Sequence, residues 1–338
     1  MVTGSMRAIG MTLLTALALA APAPAQVRPR GPLVHTYSIV ARDPRTGDMG
    51  VAVQSHWFSV GSIVTWGEAG VGVVATQSFV DPGYGPRALA LLRAGTSAPD
   101  ALKQLVAADA ARDGRQVAIL DAAGRVDAYT GKTAIAASGH VVGAGVSAQA
   151  NMMGRRTVWP AMMKAYESGS GDLADRLITA LEAAEAEGGD LRGRQSAAIL
   201  IVKAKGTGRP WVGADRLFDL RDEDHPAPVA ELKRLVRFQR AYAHANRGDE
   251  LMTEKEVDDA LDEYRAASQL APEVLELPFW HAATLASIGR EAEAAPIFTA
   301  VFAKEPQWVE LVGRLPAAGL FPDDAALLGR IRALARQP

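Results

Sequence analysis

The chain has 338 residues, with 36 lysines and arginines against 38 aspartates and glutamates, and it contains no cysteine. A net charge of −2 gives no electrostatic reason to expect nucleic acid or an anionic membrane as a partner. The lack of cysteine excludes disulfides, thiolate catalysis and cysteine-ligated zinc, and the length predicts two domains.

The first 25 residues have the pattern of an export signal. Arg7 provides positive charge, residues 11–21 (MTLLTALALAA) form a short apolar core, and Ala23 and Ala25 fit the small-x-small pattern of a cleavage site. The apolar run is shorter than the about 20 residues that a membrane-spanning helix needs. We therefore expect cleavage near Ala25 and a protein that is periplasmic or secreted and not held in the membrane. An apolar core helix is the alternative interpretation.

Strand patterns begin after a short leader. Residues 26–35 (QVRPRGPLVH) contain two prolines and two arginines without periodicity, which is typical of a flexible leader. TYSIVA, which starts at Thr36, and GVAVQS flank a segment that contains Pro44 and Gly47, so they predict a hairpin. Residues 116–131 (QVAILDAAGRVDAYTG) predict a second hairpin.

Helical and strand patterns then alternate. Helical spacing at residues 85–95 and 97–109 precedes the second hairpin, while residues 157–168 and 171–189 predict two helices before a buried strand at 195–204. Two stacked antiparallel sheets with helices outside them would satisfy this order. A single mixed sheet with helices on one face is the alternative.

From about Pro228 onward the chain is predicted to be helical, and it contains an internal repeat. Residues 260–273 (ALDEYRAASQLAPE) align with residues 294–307 (AAPIFTAVFAKEPQ), and Pro272 and Pro306 are 34 residues apart. This spacing is the period of tetratricopeptide repeats. An ordinary pair of helical hairpins is the alternative interpretation.

The two units place small and aromatic residues where such repeats bury one helix against another. Gly248 and Gly289 are predicted to end the helices that precede these units. Because about three units are needed for a self-sufficient stack, the helices at 228–247 and 323–335 are expected to act as caps. The matching buried positions are Ala260, Ala294, Tyr264 and Phe298.

Several kinds of chemistry have no matching motif. The six histidines include no H-x-x-x-H or H-x-H pair, and neither a phosphate-binding G-x-x-x-x-G-K-[ST] loop nor a G-x-S-x-G motif occurs. We therefore expect no metal and no cofactor, which leaves hydroxyl nucleophiles as the candidates.

Thr36 is the candidate with a specific chemical argument. A threonine at a chain terminus carries its own base, because an α-amino group has a pKa of about 7.7–8.0 and can accept the hydroxyl proton. Inside the chain, Thr36 has no such amine. Catalysis therefore requires cleavage of the chain between His35 and Thr36. Removal of the signal peptide after Ala25 would leave residues 26–35 attached to Thr36. Either a second cleavage removes them or Thr36 is only a strand residue.

Two loops and one strand end supply further candidates. The polar loop at residues 189–197 (GDLRGRQSA) could orient a substrate carboxylate or donate to an oxyanion, or its arginines could simply pair with local carboxylates. A second set of polar side chains follows predicted strands, where an Asx-turn is the alternative role for the aspartate. The candidates are Arg192, Arg194, Gln195 and Ser196 in the first loop, and Gln77, Ser78, Asp81 and Asn151 in the second set.

Six blocks of sequence, in order, resemble the family called domain of unknown function 1028. They are TYSIVARDPRTGDMGVAV, WGEAGVGVVATQSFVDPGYGPRALALLRAG, RQVAILDAAGRVDAYTG, AQANMM, GDLRGRQSAAILIV and LRDEDHPAPVAELKRL, and they span roughly residues 36–240. That family is similar to the N-terminal-nucleophile hydrolases. The resemblance implies an α+β fold that forms a four-layer α-β-β-α sandwich, with Thr36 in the place of the nucleophile, and it implies no particular substrate.

The sequence departs from this pattern in one respect. Proteasome-like relatives use a lysine from an early strand to tune the nucleophile, but no lysine lies between Thr36 and Lys103. Arg42, His56 or Arg194 would have to replace it, or the terminal amine would act unaided.

Together, these patterns predict an exported hydrolase of a small amide or peptide bond. Residues 36–230 would form the hydrolase-like domain, and residues 231–338 an all-α tetratricopeptide-like domain with a possible protein partner. Ser38 or Ser78 is the alternative nucleophile. The alternative function is a non-catalytic ligand- or cell-wall-binding protein that uses its repeats for a protein partner. The sequence predicts no oligomeric state.

Overall fold

The computed structural model describes residue 1, residues 33–209 and residues 213–336. Residues 2–25 of the predicted signal peptide and residues 26–32 of the leader lie outside these ranges. In the part of the chain that is described, no helix is both long enough and apolar enough to cross a membrane.

The described residues form eleven strands and eleven α-helices. The strands are β1 (Leu33–Val34), β2 (Thr36–Arg42), β3 (Met49–Ser55), β4 (Thr65–Glu68), β5 (Gly72–Phe79), β6 (Arg115–Asp121), β7 (Val126–Thr130), β8 (Gly139–Gly143), β9 (Val146–Ala150), β10 (Ser196–Val202) and β11 (Arg216–Asp222). The helices are α1 (Gly61–Val64), α2 (Tyr84–Arg93), α3 (Ala98–Ala108), α4 (Val158–Ser168), α5 (Leu173–Ala186), α6 (Pro228–Glu254), α7 (Val257–Leu270), α8 (Glu276–Ser287), α9 (Glu291–Lys304), α10 (Gln307–Arg314) and α11 (Ala325–Ala333).

The strands form two antiparallel sheets, so the alternative of a single mixed sheet is wrong. The first sheet has the order β1-β5-β6-β7, with β4 also paired to β5, and the second has the order β11-β10-β3-β2-β9-β8. Both predicted hairpins are confirmed, as β2–β3 and β6–β7. In the β2–β3 hairpin, Arg42 faces Met49 across the turn, and this register places Thr36 opposite Ser55 at the other end.

Apolar side chains bury both faces of each sheet. Helices α2 and α3 cover one face of the first sheet, where Leu89 and Leu102 pack with Ile119. The opposite face of that sheet shares a core with the second sheet. Helices α4, α5 and the start of α6 cover the remaining face of the second sheet.

The side chains of β2 alternate between two buried clusters, one on each face of the second sheet. Tyr37, Ile39 and Ala41 belong to the cluster under α5, whereas Val40 belongs to the cluster between the sheets. Because successive side chains of a strand point to opposite faces, Thr36 and Ser38 share the face of Val40. Both hydroxyl groups are therefore directed between the two sheets.

The C-terminal region is helical, as the sequence predicts. Helix α6 is 27 residues long and contains the predicted domain boundary. It starts against the second sheet at Val229 and Leu232 and reaches the helical core at Leu251. Helices α7 and α9 both have 14 residues and start 34 residues apart and, as predicted, they bury Ala260, Tyr264, Ala294 and Phe298.

The predicted role of Gly248 as a helix end is wrong, because this glycine lies inside α6. A Cβ atom placed on it would lie 2.6 Å from the ring of Tyr264, so the missing side chain lets α6 and α7 approach closely. Gly289 follows α8 with a φ of +85°, which is the conformation expected of a glycine that ends a helix.

Replacing Gly248 by alanine is expected to destabilise the protein although alanine favours helices. Helix propensity alone would stabilise by about 0.5–1 kcal/mol, but the overlap with the buried Tyr264 ring outweighs this gain. Gly329→Ala is the matched control, since Gly329 lies in α11 with open space around it. Chemical denaturation should show opposite signs for the two variants, and a gain in stability for Gly248→Ala would refute the packing argument.

Candidate functional site

A polar cluster lies between the two sheets at the start of β2, inside an otherwise apolar core. Its members come from both sheets, and each of their side chains is fully buried. Burying polar groups in this way costs free energy unless they are hydrogen-bonded to one another. The cluster consists of Thr36, Ser38, Ser55, Gln77, Gln116, Gln149 and Asn151.

Ser55 links the hydroxyl of Thr36 to the carbonyl group of the preceding residue, His35. Thr36 Oγ1 lies 3.1 Å from Ser55 Oγ and also 3.1 Å from the carbonyl oxygen of Val34. Ser55 Oγ in turn donates to the carbonyl oxygen of His35 at 2.5 Å. Since Ser55 donates its own proton to His35, its oxygen is free to accept the proton of Thr36.

The same His35 carbonyl oxygen accepts a second, charged hydrogen bond. Arg192 Nη2 donates to it at 2.7 Å. Asp190 fixes this guanidinium by accepting from Arg192 Nε at 3.1 Å and from Nη2 at 2.7 Å. Donors that point at a carbonyl oxygen stabilise the negative charge that develops there when its carbon is attacked. The polarised carbonyl belongs to the peptide bond between His35 and Thr36.

The side-chain amides of the cluster orient one another. Gln116 Oε1 accepts from Gln77 Nε2 at 2.7 Å and from Asn151 Nδ2 at 2.9 Å. Ser38 donates to Gln77 Oε1 and accepts from Gln149 Nε2, both at 2.7 Å. The Ser38 hydroxyl therefore has one donor and one acceptor, and both of them are side-chain amides.

Residues 33–35 are part of the fold, so the expectation of a flexible leader is wrong for them. Leu33 and Val34 pair with Phe79 and Ser78 of β5. The imidazole of His35 is fully buried, with Nδ1 2.6 Å from Asn151 Oδ1 and its ring edge-to-face with Phe79. Since the Asn151 amide nitrogen donates to Gln116 and lies 3.4 Å from the carbonyl oxygen of Thr36, Asn151 Oδ1 accepts a proton from His35 Nδ1.

His35 is neutral in this position. Burial has the largest effect and lowers the pKa of its imidazole below 6.5. The hydrogen bond to Asn151 opposes this, and the smaller effects of Arg192 and Asp190 lower and raise the pKa respectively. Its Nε2 is buried and has no hydrogen-bond partner among the described residues. A second proton would therefore lie on a buried atom without an acceptor.

Within the 189–197 loop, Arg192 is the predicted residue whose side chain contacts the His35–Thr36 bond, and the other three make different contacts. Ser196 Oγ donates to the carbonyl oxygen of Trp57 at 2.5 Å and accepts from the Val60 amide. Arg194 pairs with Glu185 at 3.4 Å. Gln195 donates to Asp224 at 3.2 Å.

Of the predicted residues at the end of β5, some likewise belong to the site and others make different contacts. Gln77 belongs to the polar cluster, but Asp81 accepts from the amide of Gly83 at 2.9 Å and pairs with Arg87, as the Asx-turn alternative expects. Ser78 has a φ of +71° and a buried hydroxyl without a hydrogen-bond partner among the described residues.

The side chains of the three residues considered as substitutes for the missing lysine make no hydrogen bond to Thr36 in the described part of the chain. Arg42 lies at the other end of β2, six residues from Thr36, which is about 20 Å along a strand. His56 Nδ1 lies 3.3 Å from the carbonyl oxygen of Arg194. Arg192 is the cation whose side chain contacts the residue next to Thr36.

Five features of the site were not predicted from the sequence: Ser55, Asp190, Gln116, Gln149 and the role of His35. The hairpin register could have indicated Ser55, since counting outward from the turn places it opposite Thr36. In residues 33–209 and 213–336, no group of three histidine, aspartate or glutamate side chains could hold a metal ion.

Comparisons with known proteins give one family. The family described as "Family of unknown function (DUF1028)" matches residues 36–232. The crystal structure of protein SPO2555 from Silicibacter pomeroyi, which is described with the same family model, is similar with 33% sequence identity and a TM-score of 0.54. The similarity covers 60% of this chain and 84% of that chain. No curated protein matches this chain.

The contacts of His35 predict that acid weakens the docking of residues 33–35, that is, their packing against β5 and Asn151. Well above pH 6.5 the imidazole is neutral whether docked or released, so docking is strongest there. As the pH falls below 6.5 toward the lowered pKa of the docked form, the released imidazole binds a proton first, and this favours release. Amide hydrogen exchange at residues 33–35 of the intact chain, corrected for its intrinsic pH dependence, should therefore accelerate.

The control for this experiment is His35→Asn, whose amide can donate to Asn151 but does not titrate. Its corrected exchange rates should stay constant across the same pH range. Equal pH responses of the two proteins would contradict the role assigned to His35.

Proposed function

We propose that the chain, which belongs to the family of unknown function DUF1028, is an N-terminal-nucleophile hydrolase of small amide or peptide bonds. Its nucleophile would be Thr36, and its two antiparallel sheets with their flanking helices would be the α-β-β-α sandwich of that class. The observation that carries this proposal is the pair of donors, Arg192 Nη2 and Ser55 Oγ, on the carbonyl oxygen of His35. They polarise the one peptide bond whose cleavage frees the Thr36 amine.

The first reaction would be cleavage of the chain by itself. Thr36 Oγ1 attacks the carbonyl carbon of His35. Ser55 Oγ accepts the Thr36 proton and donates its own proton to the former carbonyl oxygen, while Arg192 stabilises the negative charge that develops on that oxygen during the attack. When the tetrahedral intermediate collapses, the C–O double bond forms again, the C–N bond breaks and the Thr36 nitrogen takes that proton to become an amine, while the leader stays attached to Thr36 Oγ1 as an ester. Water then hydrolyses the ester and releases the leader with a carboxyl group at His35.

Later turnovers would use the same groups on a separate substrate. The free amine of Thr36 has an ordinary pKa of about 7.7–8.0 and accepts the hydroxyl proton as the oxygen attacks the substrate carbonyl. The C–N bond of the substrate breaks, its amine leaves with that proton, and water hydrolyses the ester on Thr36. This mechanism requires no metal or cofactor.

The remaining regions complete the proposal. Residues 1–25 would direct export to the periplasm or outside the cell, with cleavage near Ala25. The region from 231 onward would consist of tetratricopeptide-like repeats that hold a protein partner. Support for the repeats comes from the equal lengths of α7 and α9 and from their 34-residue spacing.

A non-catalytic binding protein is the second candidate. The observation that favours it is the complete burial of Thr36 behind residues 33–35, because a substrate cannot reach the hydroxyl while they are in place. In that case the leader would stay attached permanently.

Replacing Thr36 by valine is expected to abolish cleavage between His35 and Thr36, because valine has the same shape but no hydroxyl. Thr36→Ser is the matched control and should still cleave. The measurement is intact-mass spectrometry of the purified chain over time, which identifies the new terminus directly. If the valine variant were cleaved at the same bond as fast as the wild type, a foreign protease would be the agent and the mechanism would be wrong.

Replacing Arg192 by glutamine is expected to slow the same cleavage by about 10²–10³-fold, the typical loss for one oxyanion donor. Arg194→Gln is the control, because Arg194 pairs with Glu185 and not with the His35 carbonyl. The rate constants come from the same mass measurement, and thermal unfolding shows whether each variant is folded. Equal rates for folded Arg192 and Arg194 variants would remove Arg192 from the mechanism.

A further inference from the structure

We infer that the segment before Thr36 marks the site for the acyl part of the substrate, and that this site takes an extended peptide ending in histidine. The inference rests on the proposed function and adds the class of substrate to it. Three features of the docked residues 33–35 support it.

The first feature is chemical. The ester formed during cleavage joins the acyl carbon of His35 to Thr36 Oγ1. A substrate whose acyl part ends in the same residues would form an identical ester with the enzyme. The positions that Val34 and His35 occupy around this carbon are therefore the positions that a substrate with these residues occupies in the same intermediate.

The second feature is the backbone of the leader. Leu33 and Val34 form a short antiparallel strand on β5, opposite Phe79 and Ser78. The side chain of Val34 is fully buried in the core between the sheets. When the leader leaves, this length of β5 loses its partner strand and the core loses an apolar side chain. An exposed strand edge of this kind binds an extended peptide by adding it to the sheet.

The third feature is the pocket around the imidazole. Asn151 Oδ1 accepts from His35 Nδ1 at 2.6 Å, and the edge-to-face ring of Phe79 lies 6.3 Å away between centroids. The Asn151 amide nitrogen faces the oxygens of Gln116 and Thr36, so Asn151 presents an acceptor and not a donor to the pocket. The pocket thus fits a planar side chain that carries an N–H donor, and its complete closure around His35 leaves no room for a larger ring.

The test measures binding and hydrolysis on the chain that begins at Thr36. This protein comes from self-cleavage of the full chain or from a fusion whose protease leaves Thr36 as the first residue, and thermal unfolding confirms that it is folded. The binding probes are acetyl-Leu-Val-His, acetyl-Leu-Val-Phe and acetyl-Leu-Val-Ala with free carboxyl groups, together with N-acetylhistidine. The corresponding chromogenic amides serve as substrates.

The histidine tripeptide is expected to bind at least about tenfold more tightly than the phenylalanine and alanine tripeptides, because these leave the buried acceptor of Asn151 unpaired. It should also bind more tightly than N-acetylhistidine, which lacks the strand residues. The amides should follow the same order in kcat/KM.

The possible outcomes separate this inference from the proposed function. Self-cleavage at Thr36 with no preference for histidine among the tripeptides overturns the assignment of the pocket and leaves the hydrolase standing. Preferred binding of the histidine tripeptide without hydrolysis of its amide contradicts the hydrolase and supports the pocket. Equal binding of N-acetylhistidine and the tripeptide contradicts the contribution of the β5 edge.

Discussion

The reactivity proposed for Thr36 depends on the two hydrogen bonds that the carbonyl oxygen of His35 accepts. One donor is a hydroxyl on the neighbouring strand, and the other is a guanidinium held by a buried carboxylate. A backbone carbonyl at the edge of a sheet needs only one neutral donor to be satisfied. A second, charged donor at 2.7 Å draws electron density from the carbonyl carbon, and the adjacent hydroxyl belongs to a residue one bond away. A peptide bond that served only the backbone of a strand would not need the second, charged donor.

The surrounding structure keeps these groups in place at a cost. Seven polar side chains lie fully buried between apolar sheets, where each unpaired donor or acceptor would destabilise the fold by about 1–3 kcal/mol. The amides of Gln77, Gln116 and Asn151 avoid that cost by bonding to one another and to the backbone. Because the orientation of each amide fixes the next, the network determines that Asn151 presents oxygen to His35. The same network that stabilises the core therefore shapes the pocket beside Thr36.

Local patterns in the sequence were sufficient for the elements but not for the site. The turn at Pro44 and Gly47 predicted the β2–β3 hairpin, and the 34-residue spacing predicted the paired helices α7 and α9. Thr36 was a candidate because a threonine at a chain terminus carries its own base, and Gln77, Asn151 and Arg192 were candidates because each is polar at a strand end or in a loop. Gln116 was not, since inside a strand pattern a glutamine has no distinguishing signal until the two sheets are packed together. Ser55 would have required the register of the β2–β3 hairpin. Gly248 shows the same limit, because its role depends on Tyr264 of another helix.

Cleavage before Thr36 is proposed to pass through an ester on the Thr36 hydroxyl. This ester can be detected by mass spectrometry of the released leader after the purified full chain is incubated with neutral hydroxylamine, which attacks esters but not ordinary peptide bonds. If the ester forms, hydroxylamine should speed the release, and the leader should carry a hydroxamate at His35. A leader that ends in a plain carboxyl group at every hydroxylamine concentration, or a chain that stays intact, would contradict the proposed ester.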